Sequence, residues 1–368
     1  MKKLIIIPVF IIAVCVSAFS VRAEEINYDM SGIYDSLSDD AKAHMLSLGA
    51  DSADASDLSD LSFDTVLAEI GKMAAENLGS PLRGLISITA MLLICSMLTA
   101  YKGSLSTDMG TALDITLALC LSAAVAIPAA ELIKTAGDVI VNASNLMLAY
   151  IPVTALLLTA SGSIAGSAAY YASIIGLGEG VLQLSSRVII PFMYMLLGIC
   201  IAGGVSSGVN LGGFSKTLSK ASKWLLGFMM ALFSAVLGIR QVLSNSLDSV
   251  SGRAARFAVS SFVPVVGSAI GEALKTIQGS VSVLKSGVGV FVIIALAVTF
   301  LPLLLRAMLW IFTLWIGRCA ADVMNLPRGS RMLGSLSEVL SVLVALLICV
   351  MTVYLISTAL VFTIGGSL

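Results

Sequence analysis

The chain has 368 residues, 58% of them hydrophobic and only 12% charged, with a mean hydropathy of +1.02. That composition excludes an ordinary soluble globular domain and defines an integral membrane protein. The single histidine, His44, leaves no material for a His-based metal site or a Ser-His-Asp triad. No phosphate-binding glycine motif joins a strand to a helix, so no cofactor, no nucleic acid and no enzymatic activity are expected.

Residues 1–23 read as a signal peptide: Lys2-Lys3, an apolar run from Leu4 to Phe19, and Val21-Arg22-Ala23 as a small-residue cleavage site. An uncleaved first span is the alternative, although the run is short for a hydrocarbon core of ~30 Å. Residues 24–80 form an acidic region, with 13 acidic residues against 2 basic ones. Leu58, Leu61, Val66, Ile70, Met73 and Ala74 recur there at helical spacing, so its second half predicts an amphipathic helix capped by Asp60 or Ser62. Such a region is either a solvated arm or a docking element.

Residues 81–368 form the membrane domain, with 9 acidic and 16 basic residues. Six spans are expected: Gly84–Ala100, Ala112–Ala130, Arg187–Val205, Trp224–Leu243, Val288–Trp315 and Ser337–Phe362. Each approaches or exceeds the roughly 20 residues that a helix needs to cross. Pro302 and Arg306 make the fifth either kinked or a pair of joined helices. Cys95, Cys120, Cys200, Cys319 and Cys349 all lie in apolar stretches without metal spacing, and read as small hydrophobes.

Two internal repeats are expected, at about 112–205 and 224–317. Pro152 recurs as Pro264 and Pro191 as Pro302, 112 and 111 residues on. Each repeat carries an interrupted stretch, Val139–Ser185 and Arg253–Lys285, studded with proline and glycine. Re-entrant or broken hairpins fit both, because irregular backbone at membrane depth needs protein or water around it. Interfacial helix pairs fit the second equally well. Lys102, then Lys216, Lys220 and Lys223, then Arg318, Arg328 and Arg331 would mark the cytoplasmic side, with the acidic region outside.

An ionisable group at membrane depth is costly and suggests function. Glu179 is the leading candidate, between Gly178 and Gly180, which would allow close backbone approach. Gly162 and Gly166, in a run of small residues, and the breakers Pro152 and Pro264 complete the candidate path. The same small residues serve helix packing or a homo-oligomer. Arg240 and Arg306 would snorkel from span ends, and Arg318 would pair with Asp322 one turn away.

Three stretches carry a likeness to a known family: Leu146–Tyr171 (LMLAYIPVTALLLTASGSIAGSAAYY), Ser251–Gly267 (SGRAARFAVSSFVPVVG) and Ser280–Phe291 (SVSVLKSGVGVF). With the signal peptide, the acidic region and the order of spans, they resemble the stage III sporulation protein AE family of endospore-forming Firmicutes. The resemblance covers most of residues 82–365. It implies a multi-pass protein of the mother-cell membrane that engulfs the forespore. Its partners would be the other membrane proteins of the same sporulation operon and a forespore-side protein. Together they would form a secretion-like channel complex that supports endospore development and late forespore gene expression. The chain would serve as a permease-like or platform component, any energy coming from a partner ATPase. A self-contained secondary transporter and a non-conducting assembly scaffold are the rival readings.

Overall fold

The computed structural model describes residues 31–48, 63–101, 107–160, 164–205, 211–262 and 267–363. Every element among them is a helix. Three short ones come first: α1 (Ser31–Asp35), α2 (Asp39–Ser47) and α3 (Phe63–Asn77). The long ones are α4 (Gly79–Tyr101), α5 (Thr107–Ala160), α6 (Ile164–Leu184), α7 (Ile190–Val205), α8 (Leu211–Phe262), α9 (Gly267–Val323) and α10 (Pro327–Thr363). Six stretches are long and apolar enough to cross a membrane: Ala68–Thr99, Ala118–Thr159, Gly180–Gly204, Gly213–Ile239, Gly287–Val323 and Pro327–Ala359. Each overlaps one of the six expected spans. The protein is thus an all-α, multi-pass membrane protein.

α10 is the axis of the bundle. Leu333, Leu336, Val339, Leu340, Leu343, Leu347, Val350 and Met351 are all buried, and no large hydrophobic side chain of this helix is exposed among the described residues. A helix apolar on every face must be wrapped by others. Its few hydroxyls cost little there, because Thr352, Ser357 and Thr358 donate to Ile348, Val353 and Tyr354 carbonyls four residues back. Pro327 starts the helix with a preset φ, and Asn325 takes the left-handed conformation (φ 55°) that the reversal out of α9 needs.

Proline does not break these helices. Pro128 and Pro152 lie inside α5, and Pro302 lies inside α9. Span five is accordingly one continuous helix with an internal proline. Each such proline forfeits one backbone hydrogen bond, at a cost of about 3 kcal/mol in an isolated helix, so packing must hold the chain helical. Pro191 is accommodated differently, by a π-turn at Ser185–Ile189 that joins α6 to α7 and loosens the turn where the proline ring crowds the backbone.

The helix ends do not follow the spacing of the prolines. Thr107 and Leu211, Ala160 and Phe262, and Ile164 and Gly267 stand 102 to 104 residues apart. In that register Pro152 corresponds to Ala255, inside α8. The residues from 139 to 160, expected to be interrupted, form the unbroken second half of α5. Pro264 lies outside the described residues.

The acidic region packs on the membrane domain. Ile33, Leu37, Ala41, Met45 and Met73 belong to the same buried cluster as α5, α9 and α10. His44 Nδ1 meets Glu69 Oε1 at 2.9 Å and fastens α2 to α3, with Lys72 Nζ 3.8 Å from the same oxygen. Ser38 caps α2. Leu58, Leu61 and the expected caps Asp60 and Ser62 lie outside the described residues.

Candidate functional site

The residues named from sequence fall on the α5–α6 pair, where the structure describes part of them. Glu179 stands in α6, and its side chain lies outside the description. Gly178 and Gly180 flank it within continuous helix, and a Cβ built on either meets nothing within 4 Å among the described residues. Gly162 lies outside the described residues; Gly166 is in the first turn of α6. Pro152 is exposed on α5. Across the α5–α6 turn, Ser167 donates to the Ala155 carbonyl at 2.8 Å, and Thr159 donates to Ser167 at 2.9 Å.

Close approach occurs elsewhere, on α4, α7 and α9. A Cβ on Gly84 would run into the six-membered ring of Trp310, and one on Gly317 would come within 2.9 Å of Ile88. Gly204 lies under the flexible thioether of Met332. Thr313 also donates to the Pro81 carbonyl at 3.3 Å, so the first turn of α4 is fixed to α9 by a hydrogen bond and by packing.

Two ion pairs join helices far apart in sequence. Arg306 of α9 reaches Glu131 of α5 at 3.1 Å, and Lys223 of α8 reaches Glu338 of α10 at 3.0 Å. Arg306 therefore does not simply snorkel along its own helix: it has a carboxylate partner. Its Nε is buried without an acceptor among the described residues, and so is the indole N–H of Trp310 one turn on. Two such donors one turn apart on α9 are a polar demand within the packed interior near Glu131 and Gly84. The expected Arg318–Asp322 pair does not form. The guanidinium of Arg318 instead lies over Gly334 of α10, where the missing side chain leaves room, 3.3 Å from a Cβ built there. The Arg240 side chain lies outside the description.

A recess of about 280 Å³ opens where α4 meets the α9–α10 turn. Leu92, Cys95 and Thr99 line it from α4, with Leu121, Gly204 and Met332 opposite and Asn325 to Gly329 at its mouth. Its wall is mostly apolar. Groups of three or more metal-ligating side chains are absent among the described residues.

A lipid-facing helical bundle with interhelical ion pairs defines the class: a polytopic membrane protein. Residues 52–365 match the model of the family described as stage III sporulation protein AE, and the chain belongs to that family. It is also similar to stage III sporulation protein AE of Bacillus subtilis (strain 168), 22% identical over 158 residues, or 43% of this chain and 40% of the relative. The alignment thus spans about two fifths of that curated relative's length. No solved structure matches.

Proposed function

We propose that this chain is a permease-like or platform component of the channel complex joining mother cell and forespore, required for endospore development and late forespore gene expression. The observation that carries this reading is membership of a sporulation family over residues 52–365 of a bundle with six stretches able to cross a membrane. The protein resides in the mother-cell membrane around the forespore. It acts without catalysis of its own, and its partners are the other membrane proteins of the same operon and a forespore-side protein. The docked helices α1, α2 and α3 face the space between the two membranes, where those partners assemble. Duplication of a helix pair, α5–α6 and α8–α9, built the body; the recurrence of helix ends at 102 to 104 residues supports it.

Reconstitution tests the reading. Purified protein in liposomes is expected to show no solute uptake alone, and to co-purify with the other operon membrane proteins from sporulating cells. Uptake by the chain alone, abolished by Glu179→Gln, would favour the self-contained transporter, with Glu179, Gly162, Gly166, Gly178, Gly180, Pro152 and Pro264 as its path. Assembly that survives Glu179→Gln but fails when Gly162 or Gly166 becomes leucine would favour the scaffold.

A further inference from the structure

α8 and α9 both pack on α10, and each sends a cation to the same face of it. Arg331, Gly334 and Glu338 stand at i, i+3 and i+7, so they share one stripe of α10. Lys223 of α8 bonds to Glu338 at 3.0 Å, while Arg318 of α9 lies over Gly334. The stripe therefore runs along a cleft with α8 on one side and α9 on the other.

More cations than carboxylates converge there. Lys216 lies two turns before Lys223 on the same face of α8, with Lys220 between them. The Cys349 thiol meets the Leu226 carbonyl at 3.6 Å, so parallel α8 and α10 bring Lys216 level with Glu338. Arg331 donates from Nε to the Pro327 carbonyl at 3.2 Å and is exposed, as are Lys216, Lys220 and Arg318. Against these cations stand Glu338, already paired with Lys223, and Asp322, one turn beyond Arg318.

The position of the cleft along the helices points to its occupant. On α8 the charge stops at Lys223, and residues 224–239 carry none. On α10 it stops at Glu338, and residues 339–363 carry none. That second length, at about 1.5 Å per residue, is enough to cross a hydrocarbon core of ~30 Å. Cations gathered where such a length begins lie at the depth of lipid phosphates, which attract them. Gly334 adds room: what a Cβ built there meets is the Arg318 guanidinium itself, at 3.3 Å.

We propose that Lys216, Arg318 and Arg331, around Gly334, hold the phosphate of an anionic phospholipid in the cleft between α8 and α9. Lys220 adds charge one turn along, and Lys223 stays with Glu338. The site requires only that the bundle lie in lipid, and it stands or falls separately from any role in sporulation.

Native mass spectrometry of the full chain in detergent, with equal amounts of phosphatidylglycerol and phosphatidylcholine added, tests this. The intact protein is expected to retain phosphatidylglycerol in excess by about fivefold or more, since one cation near an anionic surface contributes about that factor. Lys216→Gln and Arg318→Gln should each remove most of the excess. Lys134→Gln, at an exposed cation of α5, should leave it unchanged. Equal retention of the two lipids overturns the site, and so does an excess that survives the Lys216→Gln/Arg318→Gln double variant. Displacement of phosphatidylglycerol by millimolar inorganic phosphate would assign the cleft to a free anion and overturn lipid as its occupant.

Discussion

Gly84 lies directly beneath the indole of Trp310, on helices whose sequence positions differ by more than two hundred residues. The ring takes the space that any side chain at position 84 would need, and Trp310 is buried on all sides. Gly84→Ala is therefore expected to destabilise by about 1–3 kcal/mol, the usual cost of overpacking. Gly204→Ala should cost less, because the atom in its way is the flexible end of Met332. Gly198→Ala, which meets nothing within 4 Å, should be close to neutral. Thermal unfolding in detergent checks the order, and Trp310→Phe should lessen the Gly84→Ala penalty.

The Glu131–Arg306 pair should show an asymmetric response. The Arg306 side chain is 24% exposed, whereas Glu131 is 58% exposed. Glu131→Leu strands a largely buried cation and should cost about 1–3 kcal/mol, more than Arg306→Leu, which strands a carboxylate that water or headgroups can reach. Unfolding of both variants and of the double variant measures the coupling. Equal losses would mean that the guanidinium is solvated in spite of its position.

Lys223 and Glu338 make a more exposed pair, with side chains 32% and 40% accessible. A double-mutant cycle with Lys223→Ala and Glu338→Ala should give a coupling of about 0.2–1 kcal/mol that shrinks as salt rises. A larger, salt-independent value would indicate that lipid rather than water surrounds it.

His44 links α2 to α3 through Glu69, while Met45 and Met73 stay buried beside it. His44→Ala should loosen this region by about 1 kcal/mol without releasing it. Hydrogen exchange should rise across residues 31–47 and remain unchanged in α10.

How much of this was legible in the sequence depended on the kind of signal. Charge-free apolar length located all six membrane-length stretches, because hydropathy is a property of the segment itself. Proline misled as a breaker in α5, and glycine in α6: Pro152 sits inside a helix of 54 residues and Gly176, Gly178 and Gly180 inside one of 21, since tertiary packing outweighs the local cost of one lost hydrogen bond or one flexible residue. The α9–α10 turn redirected Arg318 from Asp322 to the space over Gly334, which no spacing rule contains.

The candidate residues fared by the same logic. Arg306 stands out in the sequence as a charge within an apolar span, but Glu131 is one of several carboxylates in the long helices, alongside Asp114 and Asp138 of α5, and no spacing rule selects it as the partner. Gly84 reads in the sequence as an ordinary span end, because its role depends wholly on a tryptophan in α9. Glu179 stands out in the sequence because it is isolated among glycines, and its side chain lies outside the description.

The most direct test of the proposed role is a reporter of late forespore-specific transcription, followed by microscopy in the sporulating host with this chain deleted and then restored. Late forespore expression should be lost on deletion, with early forespore expression intact, and should return with the wild-type chain. Normal late expression and normal spores without the chain would contradict its place in the channel complex.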